Sequence, residues 1–361
     1  MPARRSFTVD LHDLGWNGFF ETQLTELKAA LVPARVVEEF KGLYRVRCVE
    51  GEYLAEIAGK IRYGAEGRHD LPAVGDWVGI APRPEEGRAR IECILPRRTQ
   101  LSRKVAGRGL SEQIVATNLD TVFVVGALNR EFNPRRIERY LAMVWDSGAG
   151  PVVLLNKADL CPDAAARLQE VESIVLGVPV HLLSALAGTG LDSLRTCVAR
   201  GETAAFVGSS GVGKSTIINA LIGSGSLPVG PVREDDDRGR HTTTSRQMLV
   251  LPGGGLVIDT PGMRELQLWD NQTGMAQAFE DIAILAQDCK FRDCGHRGEP
   301  ECAVEAAIRN GELGLERLEN HRKLEAELRF QERKVDPRAA RQQKEKWKRI
   351  HKAMRKRSRP F

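Results

Sequence analysis

Residues 203–223 read TAAFVGSSGVGKSTIINALIG. An apolar run, Thr203–Val207, meets Gly208-Ser209-Ser210-Gly211-Val212-Gly213-Lys214-Ser215, and Thr216 continues into a helical pattern. The octamer matches G-x-x-x-x-G-K-[ST] without a gap, in the strand–loop–helix context that the pattern requires. Glycines allow successive backbone N–H groups to converge on phosphate oxygens, and the helix N-terminus adds positive potential. Lys214 is placed to reach the β- and γ-phosphates, and the Ser215 hydroxyl to bind Mg²⁺. A chance glycine turn is the weaker reading of so complete a match.

Outward from this loop the sequence alternates strand and helix. Strands are expected at Thr121–Val125, Val152–Leu155, Val180–Leu183 and Thr203–Val207, with helices over 134–147, 163–176, 190–199 and onward from Lys214. Met248–Leu251 and Gly255–Ile258 read as a hairpin turning at Pro252–Gly254. Such alternation implies an α/β fold, a mostly parallel sheet with helices on both faces. Asn156-Lys157-Ala158-Asp159 follows the run PVVLL and is similar to the N-K-x-D motif of the GTPase superfamily. A carboxylate at Asp159 accepts from guanine N1–H and the exocyclic amine, a donor pair that adenine lacks. Ser184-Ala185-Leu186 resembles the S-A-x loop that backs the base, and Asp259-Thr260-Pro261-Gly262 resembles D-x-x-G. In that motif Asp259 acts on Mg²⁺ through water, and the Gly262 N–H senses the γ-phosphate. The polar stretch DDDRGRHTTTSR resembles switch I; of Thr242, Thr243 and Thr244, Thr243 is taken as the second Mg²⁺ ligand. The order is permuted: the base motifs precede the phosphate loop and D-T-P-G comes last. Joining and reopening the ends of a compact domain preserves its site.

The flanking regions differ in character. Residues 1–33 read as an extension with a short helix around Glu21–Leu31 ended by Pro33. Five β-rich segments follow, at 34–40, 43–49, 52–57, 76–81 and 88–95, separated by Gly and Pro. That spacing suggests a small closed barrel, an OB-fold first and an SH3-like module second. Cys289-x4-Cys294-x-His296-x5-Cys302 gathers three of the seven cysteines with a histidine. Three thiolates and an imidazole suit one tetrahedral, structural Zn²⁺; reduced packing cysteines are the alternative. The expected division is 1–33 extension, 34–105 barrel, 106–278 nucleotide domain, 279–330 helical zinc-binding domain and 331–361 basic tail.

Of 361 residues, 42% are hydrophobic and 28% charged, which excludes wholesale disorder. No apolar run approaches the roughly 18 residues of a membrane span, and the N-terminus lacks a secretory h-region. A cytoplasmic protein without membrane contact is expected. The formal net charge is +5, yet the tail carries 13 of the 53 Lys/Arg and 3 of the 48 Asp/Glu. So basic a tail usually meets a polyanion; a solvated helix is the bland alternative.

Together these features resemble the RsgA (YjeQ) family of bacterial ribosome-associated GTPases. The likeness runs over about residues 34–330: the barrel, N-K-A-D, S-A-L, G-S-S-G-V-G-K-S-T, G-R-H-T-T-T, D-T-P-G and C-x4-C-x-H-x5-C. It implies a circularly permuted P-loop GTPase domain between an OB-like barrel and a zinc domain. It implies binding of the small ribosomal subunit and its rRNA late in maturation, and GTP hydrolysis to GDP stimulated by that subunit. A monomer is expected. Ras-like enzymes place a Gln after D-x-x-G to orient water; here Met263 follows Gly262. His241 is therefore the candidate catalytic group beside Lys214, the alternative being a contact with rRNA, and Arg238 and Arg240 are candidates for charge neutralisation. Intrinsic turnover is expected to be slow. Two other functions compete: a nucleotide-gated RNA-binding module with incidental hydrolysis, and a metabolic P-loop kinase, which Asp159 disfavours.

Overall fold

The computed structural model describes residues 10–27, 30–40, 42–105, 111–130, 132–223, 246–259 and 272–335. Two compact units divide the chain, one of residues 1–103 and 112–267, the other of 104–111 and 268–361.

In the first unit, α1 (Gly18–Glu26) precedes β1 (Val32–Glu39), β2 (Tyr44–Cys48) and β3 (Gly51–Ile57). After α2 (Gly59–Gly64) come β4 (Trp77–Arg83) and β5 (Arg88–Ile94). These strands pair in the order β1-β2-β3-β5-β4, and β4 returns to β1. The barrel is thereby closed, with β3 and β5 parallel and its other pairs antiparallel. Alternation explains it: Tyr44, Val46 and Cys48 of β2 point inward with Tyr53 and Ala55 of β3 and Ile80 of β4. Each of the five expected segments is a barrel strand. Pro33, expected to end a helix, instead lies in β1 opposite Gly79. β6 (Gln100–Val105) and β7 (Ser111–Thr117) form a separate two-stranded ribbon that the sequence reading passed over.

The nucleotide half runs β8 (Thr121–Ala127), α3 (Pro134–Ser147), β9 (Gly150–Asn156), α4 (Ala164–Ile174), β10 (Val180–Leu182), α5 (Leu191–Thr196), β11 (Thr203–Val207), α6 (Lys214–Ile222), β12 (Arg246–Val250) and β13 (Leu256–Asp259). The spatial order is β10-β9-β8-β11-β13-β12, parallel except for the β12–β13 hairpin. Its core packs Phe123, Leu154, Phe206 and Val257 against Ile217, Ile218 and Leu221 of α6.

Barrel and nucleotide sheet are one hydrogen-bonded surface. β12 pairs with β1, Gln247 opposite Glu38 and Arg246 opposite Glu39, beside a bulge between Val36 and Glu38. The bulge bends β1, which lets one strand serve both sheets. The segment before the barrel also joins this core: Leu14, Trp16 and Phe20 pack with Trp77, Leu95 and Leu256, the Trp16 and Trp77 ring centroids 4.7 Å apart. Arg35, 1% exposed, donates to the carbonyls of Leu14, Gly75 and Asn118.

The second unit contains α7 (Gln272–Ala278), α8 (Glu280–Gln287), α9 (Ala303–Arg309) and α10 (Leu315–Val335), with the Cys/His turn between α8 and α9. Phe279, Ile282, Val304, Leu318 and Leu324 are buried there. Arg317 of α10 clamps Asp281 with two bonds of 2.5 and 2.8 Å. Among the described residues, no helix is long and apolar enough to cross a membrane.

Candidate nucleotide site and metal cluster

The permuted motifs meet at one edge. Asn156 ends β9, Ser184 follows β10, Gly208 follows β11 and Asp259 ends β13. These are the carboxyl ends of parallel strands, the edge at which open α/β sheets bind ligands. The phosphate loop turns out of β11 through Gly208, φ +147°, where a Cβ would lie 2.4 Å from the Val125 carbonyl. It enters α6 through Gly213, φ +100°, where a Cβ would lie 2.3 Å from Asn156 Nδ2. No side chain fits either position. Lys214 begins α6, and its Nζ donates to the carbonyls of Gly208 and Ser209, both at 2.7 Å. Burial lowers the Lys214 ammonium to about 8, opposed by the nearby Asp259 carboxylate. Ser210 and Gly211 are exposed at the loop tip, while Val212 packs into the core. Ser215 and Thr216 follow on the first turn of α6.

Asn156 joins this loop to the S-A-L loop. Its Nδ2 donates to the Val212 carbonyl at 2.8 Å, and its Oδ1 accepts from Ala185 N–H at 3.0 Å. At 3% exposure, both bonds are shielded from water. Lys157 takes φ +64°, turning the chain so that Ala158 N–H donates to the Leu183 carbonyl at 3.1 Å. Asp159 then faces solvent. Ser184 is bridged to Thr189 through both backbone bonds, and its Oγ accepts from Ala187 N–H at 3.2 Å. The sequence reading missed Arg136: from the first turn of α3 its Nη1 donates to Ser209 Oγ at 2.9 Å. No local pattern marks it, because the partner lies 73 residues away. His241, Thr243, Gly262, Arg238, Arg240, Thr242, Thr244, Met263 and the tail 336–361 lie outside the described residues.

In the second unit the ligand atoms of Cys289, Cys294, His296 and Cys302 all lie within 4.8 Å of one another. Cys289 Sγ is 3.9 Å from Cys302 Sγ and 3.6 Å from His296 Nδ1, which is 3.4 Å from Cys302 Sγ. Tetrahedral Zn–S and Zn–N bonds demand about 3.8 Å between sulfurs and about 3.5 Å between sulfur and nitrogen. The donor set therefore fits a metal ion. His296 takes φ +55°, and Arg322 of α10 donates to its carbonyl.

A family model described as RsgA GTPase matches residues 94–269. The small ribosomal subunit biogenesis GTPase RsgA of Opitutus terrae is 45% identical over 361 residues, covering 97% of this chain and 98% of that one. The protein of the same name from Methanosarcina acetivorans is 45% identical over 335 residues, covering 92% and 89%. Among solved structures, YjeQ from Thermotoga maritima aligns at a TM-score of 0.63 with 29% identity, over 82% of this chain and 98% of that one. YloQ, titled a circularly permuted GTPase, aligns at 0.61 with 23% identity over 83% and 96%, a likeness of fold. With strand order, permuted motifs and relatives that span nearly its whole length in agreement, the chain belongs to the RsgA GTPase family.

Proposed function

We propose that this GTPase binds the small ribosomal subunit and its rRNA, assists late maturation, and hydrolyses GTP to GDP faster on the subunit than alone. The observation that carries the site is the meeting of Asn156, Ser184, the phosphate loop and Asp259 at one sheet edge. Asp159 reads the guanine edge, and Asn156 sets the distance between base and phosphate contacts. The N–H groups of Gly208 to Thr216 and the Lys214 ammonium hold the phosphates, in a field to which the α6 N-terminus adds. Ser215, Thr243 and Asp259 are the residues that would hold Mg²⁺, which neutralises developing charge on the phosphates. His241 orients the attacking water, and Gly262 meets the γ-phosphate. The Cys289, Cys294, His296 and Cys302 cluster holds one structural Zn²⁺. The protein acts in the cytoplasm as a monomer.

GTP turnover measured with and without purified small subunits, at two salt concentrations, tests this reading. GTP preferred over ATP, stimulation by the subunit, and loss of that stimulation at high salt are expected. Equal turnover of both nucleotides removes the guanine site; an unchanged rate with subunits removes the ribosomal role. His241→Ala should lower stimulated turnover while GDP affinity holds, and equal loss of both would reassign His241 to binding.

A further inference from the structure

The phosphate loop is braced from both sides by residues outside it. Asn156 holds Val212 from the base side. Arg136 holds Ser209 from α3, its guanidinium donating to Ser209 Oγ at 2.9 Å. The Ser209 carbonyl accepts from Lys214 at 2.7 Å, so one loop residue joins two cations from different helices. Between the two braces lie the exposed Ser210 and Gly211. The cleft beside Arg136 is otherwise largely apolar, lined by Val125, Ala127, Phe132, Ile137 and Tyr140. Phe132 is itself covered by the Arg167 guanidinium, 5.4 Å from its ring.

A loop that must gather N–H groups around phosphates loses conformational freedom on binding, and bracing it beforehand removes part of that cost. Arginine suits the task because its planar donors are fixed in direction and its charge persists at any working pH. Its partner is a neutral hydroxyl. The positive charge is therefore not cancelled, and it adds to the potential that a polyphosphate meets.

We propose that Arg136 is a positioning residue that preorganises the phosphate loop, through Ser209 Oγ, for a nucleoside di- or triphosphate. The inference rests on GTP as the ligand of this loop. It assigns Arg136 to nucleotide affinity and not to the chemical step.

The test uses the full chain, with a fluorescent GDP analogue for affinity and steady-state GTP turnover for KM and kcat. Arg136→Ala should weaken GDP and raise KM by about fivefold, the scale of one partly exposed hydrogen bond, with kcat within about twofold. Ser209→Ala should weaken GDP similarly. The double variant should again lose about fivefold, where independent contributions would multiply to about 25-fold. Arg136→Lys should recover part of the affinity, and thermal unfolding of all variants should stay near that of the parent. The proposal is overturned by GDP affinity within twofold in Arg136→Ala, by a loss in kcat at constant KM, or by losses that multiply in the double variant. If the unaltered chain binds no guanine nucleotide, the GTP reading itself fails and takes this one with it. Binding by the parent with no change in Arg136→Ala removes this inference alone.

Discussion

Burial holds the Lys214 ammonium near 8 although Asp259 pulls the other way, and this gives nucleotide affinity a predictable pH dependence. The protonated lysine is the form that a polyphosphate attracts. Below pH 8 it already carries its proton, so GDP affinity should be flat. Above pH 8 binding must also take up a proton, and affinity should fall by up to about tenfold per pH unit. Titration of the dissociation constant between pH 7 and 9 checks this; affinity constant to pH 9 contradicts it. Asn156 makes a second prediction. Asn156→Ala leaves the Val212 carbonyl and Ala185 N–H without partners, at about 1–3 kcal/mol for each buried group. Urea unfolding should show that loss, and GDP binding should weaken beyond the global effect because both loops are released.

Among the elements, β1 has the most tasks. It closes the barrel with β2 and β4 and carries the sheet into β12, with Arg35 at its buried centre. Burial lowers the Arg35 guanidinium to about 10, and its donors bind carbonyls from three separate segments. Arg35→Ala should cost about 3 kcal/mol or more, read as a lower urea midpoint. The carbonyls of Leu14 and Asn118 lose the guanidinium donor, that of Gly75 keeps Asn118 Nδ2 at 3.0 Å, and the large buried side chain leaves a cavity. Arg35→Lys should not restore stability, since an ammonium cannot reproduce the guanidinium fork. In the second unit Cys302 precedes α9 directly. Removing metal with a strong chelator should release one zinc per chain and open residues 289–302 to proteases, while Cys302→Ser should do so without chelator. Undiminished protease resistance after complete metal removal would assign the turn's order to packing alone.

On the scale of the molecule, the segment read as an N-terminal extension is part of the core. Deleting residues 1–27 strips Leu14, Trp16 and Phe20 from Trp77, Leu95 and Leu256. Burial of three such side chains is worth about 4.5–9 kcal/mol at roughly 1.5–3 kcal/mol each. The truncated chain should therefore unfold at a markedly lower temperature, and a melting point equal to the parent's would show that the cluster contributes little. The barrel strands β2, β3 and β5 were legible because inward apolar residues alternate with outward ones. Strands β8, β9 and β11 were legible because each is a short continuous apolar run, the mark of a parallel strand covered on both faces. The phosphate loop was legible because its glycines answer to local backbone geometry and to atoms that only glycine can approach. The Cys/His turn was legible for a similar reason: three thiols and an imidazole within 14 residues need little chain to meet. The packing of Trp16 on Trp77, the pairing of β1 with β12, the three carbonyls around Arg35 and the reach of Arg136 to Ser209 were not legible. Each joins residues far apart in the chain, and neither partner's local sequence carries a period or spacing that names the other. The sequence by itself thus determined the chemistry available and the elements that carry it, through short-range sterics and the spacing of apolar side chains within each element. Only the tertiary structure decided which edges pair and which distant groups brace the site, because those choices come from the cooperative burial of surfaces that exist only once the elements are assembled.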